Sequence, residues 1–151
     1  MLLMTTNIII LNIDHQSHWL PLWQGYLEFY ESTLASDVTY KTFARLSDPL
    51  EFDMGGYIAF DGDEAVGIVH YIVHRTCWSD KDICYLQDLF VAPNYRKGGI
   101  GRALIEEVAS FARDHDLLKV YWQTQTNNKT ARRLYDNIAQ DSGFMVYKMD
   151  I

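Results

Sequence analysis

Arg96-Lys97-Gly98-Gly99-Ile100-Gly101 is the stretch with the plainest chemical capacity in this 151-residue chain. A strand-like run, Tyr85 to Val91, precedes it, and a helix-like run, Arg102 to Val108, follows. A strand, a glycine-bearing turn and a helix start together make a site for a phosphorylated ligand. The unpaired N–H groups of the first helical turn point outward there, and the helix dipole favours negative charge. Gly99 and Gly101 remove side chains that would block a close approach. The nucleotide-triphosphate loop G-x-x-x-x-G-K-[ST] is excluded, because Arg102 and Ala103 follow Gly101. The dinucleotide loop G-x-G-x-x-G/A fits poorly, since its third position is Leu104 and the Pro93-Asn94-Tyr95 turn lengthens the connection. The pattern R-x-x-G-x-G is satisfied by Arg96, Gly99 and Gly101. Taken alone, the hexapeptide also suits a glycine-rich turn that only caps a helix.

Its surroundings narrow the reading. The run Leu86 to Gly101 resembles the acetyl-CoA-binding core of the GNAT superfamily of N-acetyltransferases. Asn128-Lys129-Thr130-Ala131-Arg132-Arg133-Leu134-Tyr135 resembles that superfamily's N-x-x-A-x-x-L-Y segment, and Gly143-Phe144 resembles the small-aromatic pair that opens its last strand. The motifs cover the C-terminal half, in the right order. The N-terminal half, the variable and substrate-facing part of the superfamily, agrees in pattern.

The resemblance implies three tasks. The pyrophosphate is held by backbone N–H groups from Lys97 through Gly98, Gly99, Ile100 and Gly101 to Arg102, with charge from Arg96 or Arg102. Pantetheine pairs with Leu89, Phe90 and Val91 as an added strand would, and a backbone N–H near Val91 meets the thioester oxygen. Tyr135 stands beside the sulfur as general acid, with Asn128 and Ala131 bordering the CoA arm. A phenol of pKa ~10 can protonate a thiolate as its charge develops. Without the resemblance, Leu134-Tyr135 reads equally as helix core.

A lysine-like amine has a pKa of ~10.4, so about one molecule in a thousand is neutral at pH 7. A carboxylate acting through water can take its proton, and Asp88 is the local candidate, although it also fits a structural role. The polyamine and small-amine branch that the chain resembles typically carries Glu-Asp where this chain has Gln87-Asp88. Gln87 can hydrogen-bond a substrate but cannot act as a base. Trp23, Tyr26, Phe29 and Tyr30 recur at helical spacing, which suits core packing. With Trp78, some of them can line an acceptor site and make cation–π contacts. His70 and His74 share one face of a strand without a third metal ligand, so they read as ordinary strand residues or polar residues near the acceptor cleft, and no metal is expected.

Composition bounds the rest. One domain spanning 1–151 is expected, large enough to bury a core. Hydrophobic residues are 48% and the net charge is −7. The acidic balance argues against sequence-independent nucleic-acid binding and suits a cationic substrate. Cys77 and Cys84 form no C-x-x-C and read as reduced thiols of a cytoplasmic protein. Met1 to Thr6 lacks a basic signal-peptide n-region, and no run approaches the ~20 apolar residues of a membrane span.

The elements that must position these residues follow from periodicity. Asn7–Ile13 reads as a buried first strand, and Trp19–Leu34 as a helix with Pro21 in its first turn. Asp37-Val38-Thr39 caps a second helix through Leu46. Gly55-Gly56 opens a strand from Tyr57 to Asp61. Asp61-Gly62-Asp63 turns it into Ala65–His74, and Ile83–Val91 is a further antiparallel partner. A helix from Gly99 to His115, a strand over 117–124, a helix over 128–137 and a final strand over 144–149 complete the pattern. That order predicts an α/β (α+β mixed) class, with a central, mixed, largely antiparallel sheet flanked by helices as in the GNAT fold. The expected activity is transfer of acetyl from acetyl-CoA to a primary amine of a polyamine-like or amino-acid molecule, in a homodimer by resemblance. The alternatives are a protein or peptide lysine acetyltransferase and a non-catalytic CoA-binding sensor.

Overall fold

Period-two patterning in residues 54–91 gives the molecule its centre, as a computed structural model that describes residues 6–151 makes plain. Strands β2 (Met54–Asp61), β3 (Glu64–His74) and β4 (Ile83–Val91) pair antiparallel in succession. Strand β1 (Thr6–Ile10) adds antiparallel to β2, and β5 (Val120–Tyr121) adds parallel to β4, giving the order β1-β2-β3-β4-β5. Helices α1 (Gln16–Phe29) and α2 (Ser36–Ser47) cover one face. Helix α3 (Ile100–Asp114) covers the other, and α4 (Lys129–Ile138) follows β5.

Each face has its own core, because strand side chains alternate between faces. Val69, Tyr71, Val73, Cys84 and Leu86 pack on Leu104, Ile105 and Val108 of α3. Ile58, Ile68 and Phe90 pack on Trp19, Leu22 and Trp23 of α1 and on Phe43 and Leu46 of α2. Helix α3 has apolar residues at positions 100, 104, 105, 108 and 112, the i, i+4 stripe of a helix lying on a sheet. Gly67 lets α3 approach, since a Cβ there would lie 3.0 Å from a Leu104 methyl.

Several boundaries differ from expectation. The first strand stops at Ile10 and is only half-buried, because it is an edge strand. Helix α1 starts earlier, at Gln16, behind a 3₁₀ turn capped by Asn12. Helix α2 starts at Ser36, with no side-chain cap. The strand expected over 117–124 is reduced to two ladder residues. The final strand expected over 144–149 does not form. Residues 139–151 carry no helix or strand, and Phe144, Tyr147 and Met149 lie exposed. The signal-peptide reading of Met1 to Thr6 falls almost wholly outside the described residues.

Candidate active site

The register of β4 decides which side chains reach the centre. Between His70 and Tyr71 the β3–β4 ladder slips by one: Tyr71 faces Leu86, but His70 faces Asp88. Gln87 is therefore the extra residue of a β-bulge. A one-residue slip moves every following side chain to the opposite face. Leu86 lies in the α3-side core and Phe90 in the α1-side core as a result. Asp88 is turned toward α1, while Gln87 is exposed.

Asp88 then meets a group built mostly on α1. Its Oδ2 lies 2.9 Å from His70 Nδ1. His70 Nε2 accepts a hydrogen bond from Trp19 Nε1 at 2.9 Å. Trp19, His70 and Asp88 are 1%, 2% and 9% exposed. Tyr26 turns its hydroxyl to the carboxylate, and burial followed by that negative charge pushes its phenol far above the usual range. The same two causes raise Tyr30. Tyr85 is raised by burial first, then by Tyr121 and Asp88. Trp23 stacks on Tyr26 at 5.3 Å between centroids and tilts against His70 at 5.4 Å.

Tyr135 approaches from α4. Its ring meets Trp122 edge-on at 5.4 Å. Burial raises its phenol above the usual range, and the field of Tyr30 adds to this. Tyr30, at the end of α1, lies within electrostatic reach of both Asp88 on β4 and Tyr135 on α4, and the space these side chains border is the candidate acceptor cleft. A phenol held protonated retains the proton that a general acid must give.

Beside this cleft the sheet opens. Strand β5 matches β4 only at Cys84↔Val120 and Tyr85↔Tyr121. Beyond Tyr85 the outer edge of β4, including Leu89, Phe90 and Val91, has no strand against it among the described residues. Arg96 reaches back to this edge: its Nε donates to the Val91 carbonyl at 3.0 Å, and its guanidinium lies over Phe90 and Phe29. In the following loop Lys97 and Gly99 adopt left-handed backbone, with φ of 67° and 86°. Left-handed residues on either side of Gly98 turn backbone N–H groups as in an anion-binding concavity. No backbone N–H from Lys97 to Arg102 finds a chain partner among the described residues. No heavy atom lies within 4 Å of a Cβ built at Gly99. The loop is open, donor-rich and continuous with a bare strand edge, and that fits a pyrophosphate joined to a pantetheine arm.

Asn128 caps α4, its Oδ1 accepting from the Ala131 N–H at 3.2 Å. Trp78 stands apart, 95% exposed in the β3–β4 connection and outside the aromatic group on α1. His74 is exposed and bonds Tyr121, so the two strand histidines part company despite sharing a face. Among the described residues no group of three or more His, Cys, Asp or Glu is placed to hold a metal. Two features escaped sequence reasoning. Trp19 reads there only as an apolar position, and His70 as an ordinary strand residue or a polar residue near the acceptor cleft, with no partner named. The signal for their joint role was a buried-strand histidine opposite an acidic residue, legible only once the bulge is placed.

A mixed sheet of this topology, with an open β4 edge and a glycine loop at a helix start, has the architecture expected of the GNAT fold. Residues 19–139 match the model of the acetyltransferase (GNAT) family. The D-amino-acid N-acetyltransferase HPA3 of Saccharomyces cerevisiae is 36% identical over 132 residues, which cover 86% of this chain and 81% of that protein. The thialysine N-epsilon-acetyltransferase of Caenorhabditis elegans is 30% identical over 149 residues, 95% and 91% of the two chains. Among solved structures, the ribosomal-protein-alanine N-acetyltransferase of Brucella melitensis superposes with a TM-score of 0.82 at 19% identity, covering 97% and 100%. The aminoglycoside N-acetyltransferase AAC(6')-Iy in complex with CoA gives 0.83 at 15%, covering 96% and 94%. These two share the fold. The chain belongs to the GNAT family and is an N-acetyltransferase, an enzyme that moves acetyl to an amine.

Proposed function

We propose that this enzyme, a single domain, takes acetyl from acetyl-CoA and delivers it to the primary amine of a small cationic molecule, polyamine-like or an amino acid. Asp88 carries the reading. It is a nearly buried carboxylate within electrostatic reach of the Tyr26, Tyr30 and Tyr85 phenols, and its side-chain hydrogen-bond partner of basic type among the described residues is His70 at 2.9 Å. A charge buried without a full counter-charge is costly, and an ammonium group entering the cleft relieves that cost. The aromatic rings add cation–π attraction. The two relatives named above act on amino-acid amines by their names, which supports the same acceptor class.

In this reading the N–H groups of Lys97 to Arg102 hold the pyrophosphate, and the free β4 edge from Leu89 to Val91 pairs with pantetheine. Arg96 releases the Val91 carbonyl as the arm docks. Asp88 accepts the ammonium proton through water. The amine nitrogen then attacks the thioester carbon, the C–S bond breaks as the C–N bond forms, and Tyr135 gives its proton to the departing sulfur. The second proton that the nitrogen sheds as it becomes an amide passes through water to restore the Tyr135 phenol. Gln87, exposed at the bulge, contacts the acceptor, with Trp23 behind the tyrosines.

We place this activity in the cytoplasm and in a homodimer. Exposed Cys77 and buried Cys84 are both free thiols, as a reducing compartment requires. Residues 144–149 have strand composition without a strand partner among the described residues. A groove of about 320 Å³ beside β5, lined by Ile105, Leu118, Val120, Trp122 and Ile138 and rimmed by Glu106, Arg113 and Lys119, offers a second copy's tail a mixed apolar and charged seat.

The test is thiol release from acetyl-CoA against polyamines, amino acids and lysine peptides. Release dependent on a small cationic amine is the expected result. Release only with peptides moves the acceptor class to proteins, and no release with any amine defeats the reading.

A further inference from the structure

We propose that His70 is a positioning residue that aims Asp88 into the cleft while leaving its charge undiminished for the acceptor. The inference rests on Asp88 serving the acceptor as described above. Indole Nε1 is a donor only, so the bond from Trp19 requires a lone pair on His70 Nε2. The ring proton then sits on Nδ1 and is donated to Asp88 Oδ2. A second proton on His70 would set two N–H donors against each other across 2.9 Å. Trp19 therefore fixes both the tautomer and the neutral state of the ring.

The ring is also held mechanically. A Cβ at Gly56, on the neighbouring strand, would lie 3.2 Å from His70 Cδ2, so β2 closes on the imidazole from that side. Trp23 packs against its other surroundings. One carboxylate oxygen is thereby pinned by a neutral donor, and the Tyr26 hydroxyl meets the same carboxylate. A lysine or arginine in place of His70 would orient Asp88 equally well but cancel its charge. The neutral imidazole orients without cancelling, which leaves a full negative charge to select an ammonium.

Four measurements test this. His70→Asn keeps a side-chain N–H near the position of Nδ1–H, whereas His70→Leu keeps bulk and loses the donor. For His70→Leu the acceptor kcat/KM is expected to fall roughly 10-fold to 100-fold, mainly through KM, with His70→Asn within about threefold of the unsubstituted enzyme. The acetyl-CoA KM stays level in both. Equal losses in the two variants, or no loss in His70→Leu, would overturn the proposal. The third measurement needs neither variant to fold: ¹⁵N NMR of the unsubstituted protein should show His70 protonated on Nδ1 alone, and protonation of Nε2 sinks the idea. If no amine is acetylated, calorimetry with spermidine and with lysine still compares the unsubstituted protein with His70→Leu. Weaker binding in the variant supports the positioning role even as the acceptor reading fails, and equal binding overturns it.

Discussion

Strands β2 and β3 pair along nearly their whole length, with one slip between Ala59 and Phe60, and are largely buried, whereas β4 and β5 share two register positions and α4 buries no residue fully. The first region is a finished core. The second is open: a bare β4 edge, a groove beside β5 and an unpaired apolar tail. The contrast separates stability from chemistry. Hydrophobic burial in the two cores holds the fold, while the open region keeps free the backbone groups and apolar surface that a ligand or a second copy must occupy.

Tyr135→Phe is the sharpest way to test that the open region carries the chemistry. Phenylalanine keeps the edge-on contact with Trp122 and removes only the hydroxyl, and with it the transferable proton. At saturating substrates kcat should fall on the order of 100-fold or more, with the thermal midpoint nearly unchanged. Steady-state kinetics beside a thermal melt checks both halves of that statement. Unaltered turnover would remove Tyr135 from the role of acid.

Gly56→Ala probes the finished region and should act in the opposite sense. The added Cβ would lie 2.5 Å from the Val69 carbonyl oxygen and 3.2 Å from the His70 ring. The first obstacle is backbone within a paired strand and cannot swing aside. A loss of about 1–3 kcal/mol in unfolding free energy is expected from overpacking of this kind. Denaturant unfolding measures it, and a variant as stable as the parent would mean that β2 and β3 separate more readily than their long ladder implies.

How much of this was legible in the sequence depended on how local the signal was. Arg96 to Gly101 and Asn128 to Tyr135 could be read directly, because a loop and a helix start are set by neighbours in sequence. The strands β2 to β4 and the amphipathic α3 followed from periodicity for the same reason. Asp88 was found, but its partner was not, because His70 and Asp88 meet only through the bulge at Gln87. Register slips arise from pairing between distant segments and leave little trace in either strand alone. Trp19 was hidden differently: its indole is core by area and a hydrogen-bond donor by a single atom. Residues 144–149 misled because strand composition reports a capacity to pair, not the chain that supplies the partner.

That last misreading leads to the smallest expected effect within one chain. Ending the protein after Ser142 removes Phe144, Tyr147 and Met149, which are 91%, 88% and 84% exposed and belong to neither core of the described residues. The folded body should therefore lose less than about 1 kcal/mol of stability by any intrachain account. If a second copy's tail fills the groove beside β5, the same truncation should convert a dimer to a monomer in sedimentation at micromolar concentration. It should also uncover Trp122, on which the Tyr135 ring rests. Turnover would then fall with the loss of the dimer, while acetyl-CoA binding at the Lys97 to Arg102 loop persists. A full-length chain that sediments as a monomer, or a truncated one that stays dimeric, breaks the link between the open edge and self-association. The contrast between the two regions would then rest on the ligand alone.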